Sequence, residues 1–357
     1  MKTKKLSKTS KSNFITYGIV IVCFVLVQIM QSTGSLTSLM SGLLVPLCIY
    51  AILAVSLNLV VGISGELSLG HAGFMCIGAF SGAFFSKCMV DVITVGWIRF
   101  TIAIIIGAVM AGIFGFLIGM PVLRLKGDYL AIVTLGFGEI IKNVVNVLYI
   151  GKDENGFHFS TESTVALNLS ADGEVIINGA QGITNTPKDS TFIIAIILLL
   201  LTLVIVLNLI NSRDGRAIMS IRDNRIAAES LGINITKYKL TAFTISAALA
   251  GVAGVLYAHN LSALTATTKN FGYTMSILIL VFVVLGGIGN IRGSMISAVI
   301  LTLLPELLRG LSDYRMLIYS IVLIIMMLFN WAPAALLYRE RVSAYFKSKL
   351  SSVKGGK

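Results

Sequence analysis

Charged residues are scarce in this 357-residue chain, at 12% of the sequence, whereas soluble domains carry about 25%. Hydrophobic residues reach 56%, and the mean hydropathy is +0.91. A water-soluble core of this size cannot absorb so much apolar surface, so the composition excludes a soluble globular protein and predicts a polytopic membrane protein. The formal charge of +12 then concerns membrane topology rather than nucleic-acid binding.

Sequence signatures of common enzymes are missing as well. There is no G-x-x-x-x-G-K-[ST] for ATP, no H-E-x-x-H for zinc and no G-x-S-x-G for a nucleophilic serine. The three histidines lack ligand spacing, and the four cysteines form no C-x-x-C but fall in or beside apolar segments. These residues are His71, His158, His259, Cys23, Cys48, Cys76 and Cys88. We expect no catalytic residue, no metal, no cofactor and no ATP hydrolysis by this chain.

Apolar segments long enough to cross a membrane recur along the chain, and an all-α fold of about ten transmembrane helices is predicted. The expected spans are roughly 14–32, 38–61, 67–88, 97–120, 128–149, 191–211, 240–260, 272–289, 294–309 and 316–335. They form a transmembrane domain over 14–335, between basic tails at 1–13 and 336–357. The first apolar run is interpreted as a retained helix, because no small-residue cleavage site follows it.

Basic residues predict the orientation of these spans. Both tails and the loop over 212–239 are rich in lysine and arginine, whereas the long loop over 151–190 is acidic. The positive-inside rule therefore places both termini and the 212–239 loop in the cytoplasm, and the 151–190 loop outside. Within the external loop, residues 164–169 alternate in hydrophobicity, Asp172-Gly173 follows, and 174–177 is apolar again. This pattern predicts a small β-hairpin.

The best-marked cytoplasmic segment is "RDGRAIMSIRDNRIAAESLGINITKYKL", residues 213–240. Asp223 or Asn224 can cap a short helix, and Gly232 can end it. A helix of about two turns is marginal in water, so we expect it to pack on a partner protein that docks from the cytoplasm. The alternative is a solvated basic loop held at lipid headgroups.

Several blocks of the chain, taken together, resemble the LivM-type branched-chain amino-acid permease family of ABC importers. They are "LNLVVGISGELSLGHAGF" (57–74), "RLKGDYLAIVTLGFGEIIKNV" (124–144), "GAQGITNTP" (179–187), "SIRDNRIAAESLGINITKYKLTAFTISAALAGVAGVLYAH" (220–259) and "GGIGNIRGSMISA" (286–298). The match covers most of 45–330 in order. The external loop is longer than is usual in the family, which leaves the docking of a binding protein undetermined.

The resemblance implies an ABC importer permease fold and a function in ATP-driven uptake of branched-chain amino acids. It also implies two ATPase subunits, a paralogous permease, an external substrate-binding protein and a bacterial inner or plasma membrane. The "AAESLG" block is similar to the family's ATPase-coupling loop, which makes the 212–239 loop a coupling loop. The coupling residues implied are Arg216, Arg222, Asp223, Arg225, Ala227, Ala228, Glu229 and Gly232.

The stretch "GELSLGHAGF", residues 65–74, places glycines and polar side chains inside an apolar region. Irregular backbone at membrane depth is tolerated only where protein or water satisfies it, and transporters use broken helices to present polar groups to a substrate. One hypothesis is a translocation path or gate formed by Gly65, Ser68, Gly70 and His71. The other is a tight turn whose small residues pack helices together.

The predicted fifth span carries Glu139 and Lys142, with Gly138 directly before Glu139 and Thr134 five residues before it. A charge at that depth costs at least about 2.5–3.5 kcal/mol and normally has a partner. Glu139 and Lys142 are three residues apart, so they can pair with each other. Alternatively, all four residues line the path of a zwitterionic substrate. Small residues over 246–258, including Gly251 and Gly254, predict close helix packing.

Other functions stay open on the sequence alone. Within the resembled family, urea, short amides and other small polar solutes are also carried. An ion-coupled secondary transporter acting alone would need a titrating carboxylate in the membrane, for which Glu139 is the best candidate. A structural or sensory membrane protein is a third class.

Overall fold

The structure is a computed structural model that describes residues 8–331 apart from 35, 36, 126, 155, 171 and 172. The chain divides into two compact units, with the boundary between Val299 and Ile300. Most of the two predicted basic tails, and Asp172 of the predicted hairpin turn, lie outside the described residues.

Helices dominate the described part of the chain. They are α1 (Lys8–Ser32), α2 (Ser38–Asn58), α3 (His71–Cys88), α4 (Gly96–Val122), α5 (Asp128–Asn146), α6 (Phe192–Asn211), α7 (Arg213–Asp223), α8 (Arg225–Ser230), α9 (Ile235–Ala258), α10 (Thr268–Phe271), α11 (Tyr273–Gly286), α12 (Ile291–Leu307) and α13 (Arg315–Trp331). A π-helical turn, Leu59–Ser64, extends α2. A 3₁₀ segment, Leu308–Tyr314, joins α12 to α13.

A described helix overlaps every one of the ten predicted spans. Seven segments, made by α1, α2, α4, α6, α9, α10–α11 and α12, are long and apolar enough to cross a membrane. The described part of α13 falls short in length, with 17 residues, whereas α3 and α5 are long enough but fall short in hydropathy because they contain polar and charged side chains. The protein is therefore a multi-pass membrane protein that is mostly helical, and the number of ten spans stays a prediction.

The core of the first unit is built where α3, α4 and α9 cross one another. Glycines make this close approach possible, as predicted for the 246–258 segment. A Cβ on Gly78 would lie 2.3 Å from the carbonyl oxygen of Gly251, and one on Gly254 would lie 2.1 Å from that of Met75. The stripe of small residues on α9 is thus a packing surface against α3 and α4.

The predicted hairpin is wrong in its position, although a small sheet is present. Strands β1 (Tyr149–Asp153), β2 (Gly156–Ser160) and β3 (Glu174–Asn178) form an antiparallel sheet in the order β2-β1-β3. The hairpin is β1–β2, and β3 pairs with β1 instead of with residues 164–169. Val165–Leu167 is a 3₁₀ turn that ends at Asn168 in the left-handed conformation, with φ 46°. Strands β4 (Ile183–Thr184) and β5 (Ala263–Leu264) pair separately.

The contacts of this sheet define two ends of the first unit. Lys87, at the end of α3, pairs with Glu174 of β3 at 3.1 Å, and α5 leads directly into β1. We call this the sheet end. The other end carries the loop over 212–239, and we call it the loop end. There, α7 packs on the π-helical turn through Ile218, which is buried with Leu59 and Ile63.

Candidate translocation and coupling site

The helical path is broken between Ser64 and His71, as the glycine-rich sequence predicts. The π-helical turn ends at Gly65, whose φ of 75° is left-handed and suits glycine. The next residues are not helical, and α3 begins at His71. Gly65 and Leu67 are exposed, whereas Ser68 and Gly70 are buried, so the connection runs from the surface into the protein.

His71 starts α3 deep inside the protein. It is 2% exposed, and its Nε2 lies 2.8 Å from the hydroxyl oxygen of Ser56. Ser56 also accepts a hydrogen bond of 2.6 Å on its carbonyl from Ser246 of α9. Ser56 precedes the end of the π-helical turn by eight residues, which is about 12 Å at the helical rise. The chain therefore re-enters the interior before α3 begins.

Helix α5 holds this interruption in place. The backbone N–H of Leu69 donates to the hydroxyl of Thr134 at 3.0 Å. A Cβ on Gly70 would lie 2.2 Å from the carbonyl oxygen of Thr134, and one on Gly73 would lie 2.8 Å from the Cα of Gly138. The structure thus brings together four predicted site residues, Gly70, His71, Thr134 and Gly138, and their glycines are required for close contact.

Glu139 and Lys142 form the predicted ion pair, at 2.5 Å, with side chains 23% and 9% exposed. Each also binds the first residue of a following helix, Lys142 that of α10 and Glu139 that of α11. Lys142 donates to the hydroxyl of Thr268 at 3.0 Å, and the other carboxylate oxygen of Glu139 accepts from the backbone N–H of Tyr273 at 2.7 Å. Glu139 therefore stabilises the positive N-terminal end of α11.

The N-terminal ends of α3 and α11 meet through a contact that the sequence did not reveal. The backbone N–H of Ala72, in the first turn of α3, donates to the hydroxyl of Ser276 at 3.1 Å. Ser276 is 2% exposed and lies in the first turn of α11. Two helices thus begin side by side inside the molecule, a feature of membrane transport proteins with interrupted spans.

At the loop end, the predicted short helix is present as α8, preceded by α7. The side chain of Asn224, rather than Asp223, caps α8 by accepting from the backbone N–H of Ala227 at 3.0 Å. Ala228 is 2% exposed and packs with Ile221 and Ile235. Gly232 ends the turn with φ 78°.

Most of the other predicted coupling residues are on the surface of these two helices. Arg216 donates to the carbonyl oxygen of Asn211 at 3.1 Å. Exposed side chains also belong to Asp223, Arg225, Ala227 and Glu229. Sequence reasoning passed over two apolar neighbours, Ile226 and Leu231, which are 81% and 80% exposed. Their signal was an apolar side chain in a charged cytoplasmic segment: Ile226 lies two residues before the buried Ala228, on the opposite face of α8, and Leu231 directly follows α8.

Arg222 connects this surface to the broken helix. Its Nη1 donates to the carbonyl oxygen of Gly62 at 2.8 Å, while Nε and Nη2 bind Asp223. A Cβ on Gly65 would lie 2.7 Å from the Cγ of Arg222. Gly65, a predicted path or gate residue, thus lies against Arg222, a predicted coupling residue.

Two further polar links join the same region. Lys239, near the start of α9, forms an ion pair with Glu66. Asn58 accepts from the backbone N–H of Gly289 at 2.9 Å and donates to Ser294 at 2.7 Å, so the turn between α11 and α12 is tied to the end of α2.

Comparison with known proteins shows similarity to the permease subunits of membrane transport systems. Residues 39–329 match the family model described as branched-chain amino acid transport system / permease component. The chain is 37% identical over 309 residues to the "High-affinity branched-chain amino acid transport system permease protein LivM" of Escherichia coli, covering 84% of this chain and 70% of the relative. The LivM protein of Salmonella typhimurium gives the same values.

More distant relatives match this chain over most of their length. The LivH permease protein of Escherichia coli is 26% identical, covering 82% of this chain and 92% of the relative. A nucleoside ABC transporter permease protein, NupC of Lactococcus lactis, is 25% identical over 68% of this chain and 73% of its own. No solved structure matches. The chain belongs to the family of branched-chain amino acid transport system permease components.

Proposed function

We propose that this protein is the transmembrane permease subunit of an ATP-driven importer that carries leucine, isoleucine and valine across a bacterial inner or plasma membrane. The observation that carries the proposal is the 37% identity with LivM proteins over 84% of the chain. Similarity to LivH as well supports a working unit of two related permeases. Two ATPase subunits supply the energy, and an external binding protein delivers the substrate.

The ATPase docking surface comprises α7, α8 and the turn at Gly232. Two exposed apolar side chains, Ile226 and Leu231, stand among charged residues on this surface, and exposed apolar groups rimmed by charge are typical of protein-binding sites. Burial of Ala228 anchors α8 to α7 and α9, so movement of the docked partner is passed to those helices.

Coupling to the membrane helices runs through Arg222 and through the Lys239–Glu66 pair. Both contacts end on the segment that interrupts the path between α2 and α3. A rigid displacement of α7–α8 therefore moves the π-helical turn, and the re-entrant segment after it, as one body. Such a rigid-body motion alternates access to the substrate path.

The gate lies where this segment meets α5 and α11. Ser68, Gly70 and His71 belong to the re-entrant segment and the start of α3, Thr134 and Gly138 of α5 pack against them, and Glu139 and Lys142 fix the start of α11. A zwitterion carries one charge of each sign, and the same two signs are present side by side at this point. The contacts favour a role for Glu139 and Lys142 in holding the gate closed.

Orientation follows from charge: the loop end, with the basic loop over 212–239, faces the cytoplasm, and the sheet end, with the acidic loop over 151–190, faces outward to the binding protein. The decisive experiment is reconstitution of the permease pair in proteoliposomes, with and without the ATPase subunits. We expect leucine uptake only with ATP and the ATPases. Uptake that follows an ion gradient without them, or uptake of urea, amides or nucleosides in preference to leucine, would contradict the proposal.

A further inference from the structure

A groove at the loop end belongs neither to the gate nor to the docking surface. It has a volume of about 560 Å³ and lies between the last two turns of α4 and the first three turns of α9. Its lining residues are Phe116, Met120, Arg124, Asn234, Thr236, Lys237, Leu240, Thr241, Thr244 and Ile245. Above it, the two helices close together, since a Cβ on Gly115 would lie 2.4 Å from the Cβ of Ala247.

The mouth of the groove carries two unpaired cations. Arg124 and Lys237 are both exposed, and neither forms an ion pair with any residue that the structure describes. The described lining contains no carboxylate. Lys239, two residues further along α9, differs because it is paired with Glu66. The two cations are therefore free to bind an anion.

The start of α9 adds to this positive potential. The side chain of Asn234 accepts from the backbone N–H of Lys237 at 3.1 Å and caps the helix. The N-terminal end of a helix this long favours a negative group. Thr236 places a hydroxyl group in the same mouth, where it can donate to a phosphate oxygen, whereas the hydroxyl of Thr241 already donates to the carbonyl oxygen of Lys237 at 2.9 Å.

The interior of the groove is apolar and opens at membrane depth. Phe116 and Met120, in a span, remain 45% and 38% exposed, and Leu240 and Ile245 form the opposite wall. The hydroxyl of Thr244 is buried, with no hydrogen-bond partner among the described residues. A group that brings both an apolar chain and an acceptor oxygen would complete these surroundings.

We propose that this groove binds one anionic phospholipid of the loop-end leaflet. The headgroup phosphate lies between Arg124 and Lys237, an acyl chain follows Phe116 and Leu240, and an ester oxygen accepts from Thr244. Basic pockets between transmembrane helices bind anionic headgroups in this manner. A soluble anion would make no contact with the apolar walls. A neutral phospholipid would leave the two cations without a net counter-charge.

The test measures lipid retained by the delipidated, purified permease after exposure to phosphatidylcholine vesicles with or without phosphatidylglycerol, read by native mass spectrometry. We expect one phosphatidylglycerol to bind in preference to phosphatidylcholine. The double variant Arg124→Gln/Lys237→Gln should weaken it by roughly 25-fold, at about fivefold per cation. The matched control Lys188→Gln/Lys269→Gln removes two exposed cations at the sheet end and should leave binding unchanged.

A second variant, Thr244→Leu, fills the groove without altering charge and should also reduce retention. The proposal would be overturned if the groove double variant bound phosphatidylglycerol as well as the wild type and the control double variant do. Equal competition by inorganic phosphate would overturn it as well, because it would indicate a simple anion site. A groove variant that dissociates the permease pair while the amount of bound lipid stays constant would show that the groove is a subunit interface. That result would also overturn the proposal.

Discussion

The guanidinium of Arg222 donates a hydrogen bond of 2.8 Å to the carbonyl oxygen of Gly62, across 160 residues of sequence. Arg222 is next to last in α7, and Gly62 lies in the π-helical turn that ends α2. The π-helical turn leaves carbonyl groups without regular helical partners, and a charged donor satisfies one of them. The surface helices and the interrupted span are thus mechanically joined at one point.

Replacing Arg222 with alanine should uncouple the transporter. Uptake of leucine should fall about tenfold, because a hydrogen bond to a charged group contributes about 1.5–3 kcal/mol. Arg222→Lys keeps one donor and should retain part of the activity. The measurement is ATP-driven uptake in proteoliposomes, with co-purification of the ATPases as a second readout. Lys188→Ala, at the opposite end, serves as control. Normal uptake, or loss of the ATPases themselves, would argue against a transmitting role.

Binding of the ATPase subunits should weaken when the exposed apolar residues of α8 and of the turn after it are replaced by aspartate. We expect Ile226→Asp and Leu231→Asp each to reduce co-purification of the ATPase subunits, because a buried charge replaces an apolar contact, and loss of an interface hot spot costs 2 kcal/mol or more, about thirtyfold in affinity. The matched control is Val165→Asp, because the Val165 side chain is also apolar and is 83% exposed, but lies at the sheet end. Equal retention in all three variants would show that the partner does not bind at this helix.

The interruption itself was predictable, but its three-dimensional consequences were not. Glycines at positions 62, 65, 70 and 73 permit a bend and close helix contact, and the polar residues among them favour a break at this place. The partners of that break come from remote segments: Ser276 is 204 residues from Ala72, and Thr134 is 65 residues from Leu69. Local periodicity contains no information on such contacts. In contrast, the Glu139–Lys142 pair was predictable, since both residues lie on one helix.

The misplaced hairpin has a physical cause. Residues 164–169 alternate, but so short a stretch also fits a single 3₁₀ turn, and Asn168 readily adopts the left-handed conformation that ends it. The overlooked signal was "DENG", residues 153–156. Asp153 accepts from the backbone N–H of Gly156 at 3.1 Å, and the chain reverses between β1 and β2.

Close contact between the re-entrant segment and α5, at the proposed gate, predicts that added methyl groups will be destabilising there. Gly70→Ala should destabilise the protein by about 1–3 kcal/mol, the usual cost of overpacking, because its Cβ would lie 2.2 Å from a backbone oxygen of α5. Gly136→Ala is the control on α5 itself, where a Cβ would meet nothing within 4 Å. It should stabilise the helix by about 0.5–1 kcal/mol. Thermal unfolding in detergent measures both, and equal shifts would contradict the packing.

The last prediction concerns the Glu139–Lys142 pair. Lys142→Met leaves a largely buried carboxylate unpaired and should destabilise the protein by about 3–5 kcal/mol. The double variant Glu139→Gln/Lys142→Met should regain much of that loss, because a glutamine oxygen can still accept from Tyr273. A pair with the same spacing, Glu306–Arg309, has side chains 24% and 57% exposed. Its removal should cost about 1 kcal/mol or less. A thermal-unfolding double-mutant cycle that gives equal coupling for both pairs would contradict a buried interaction that fixes the start of α11.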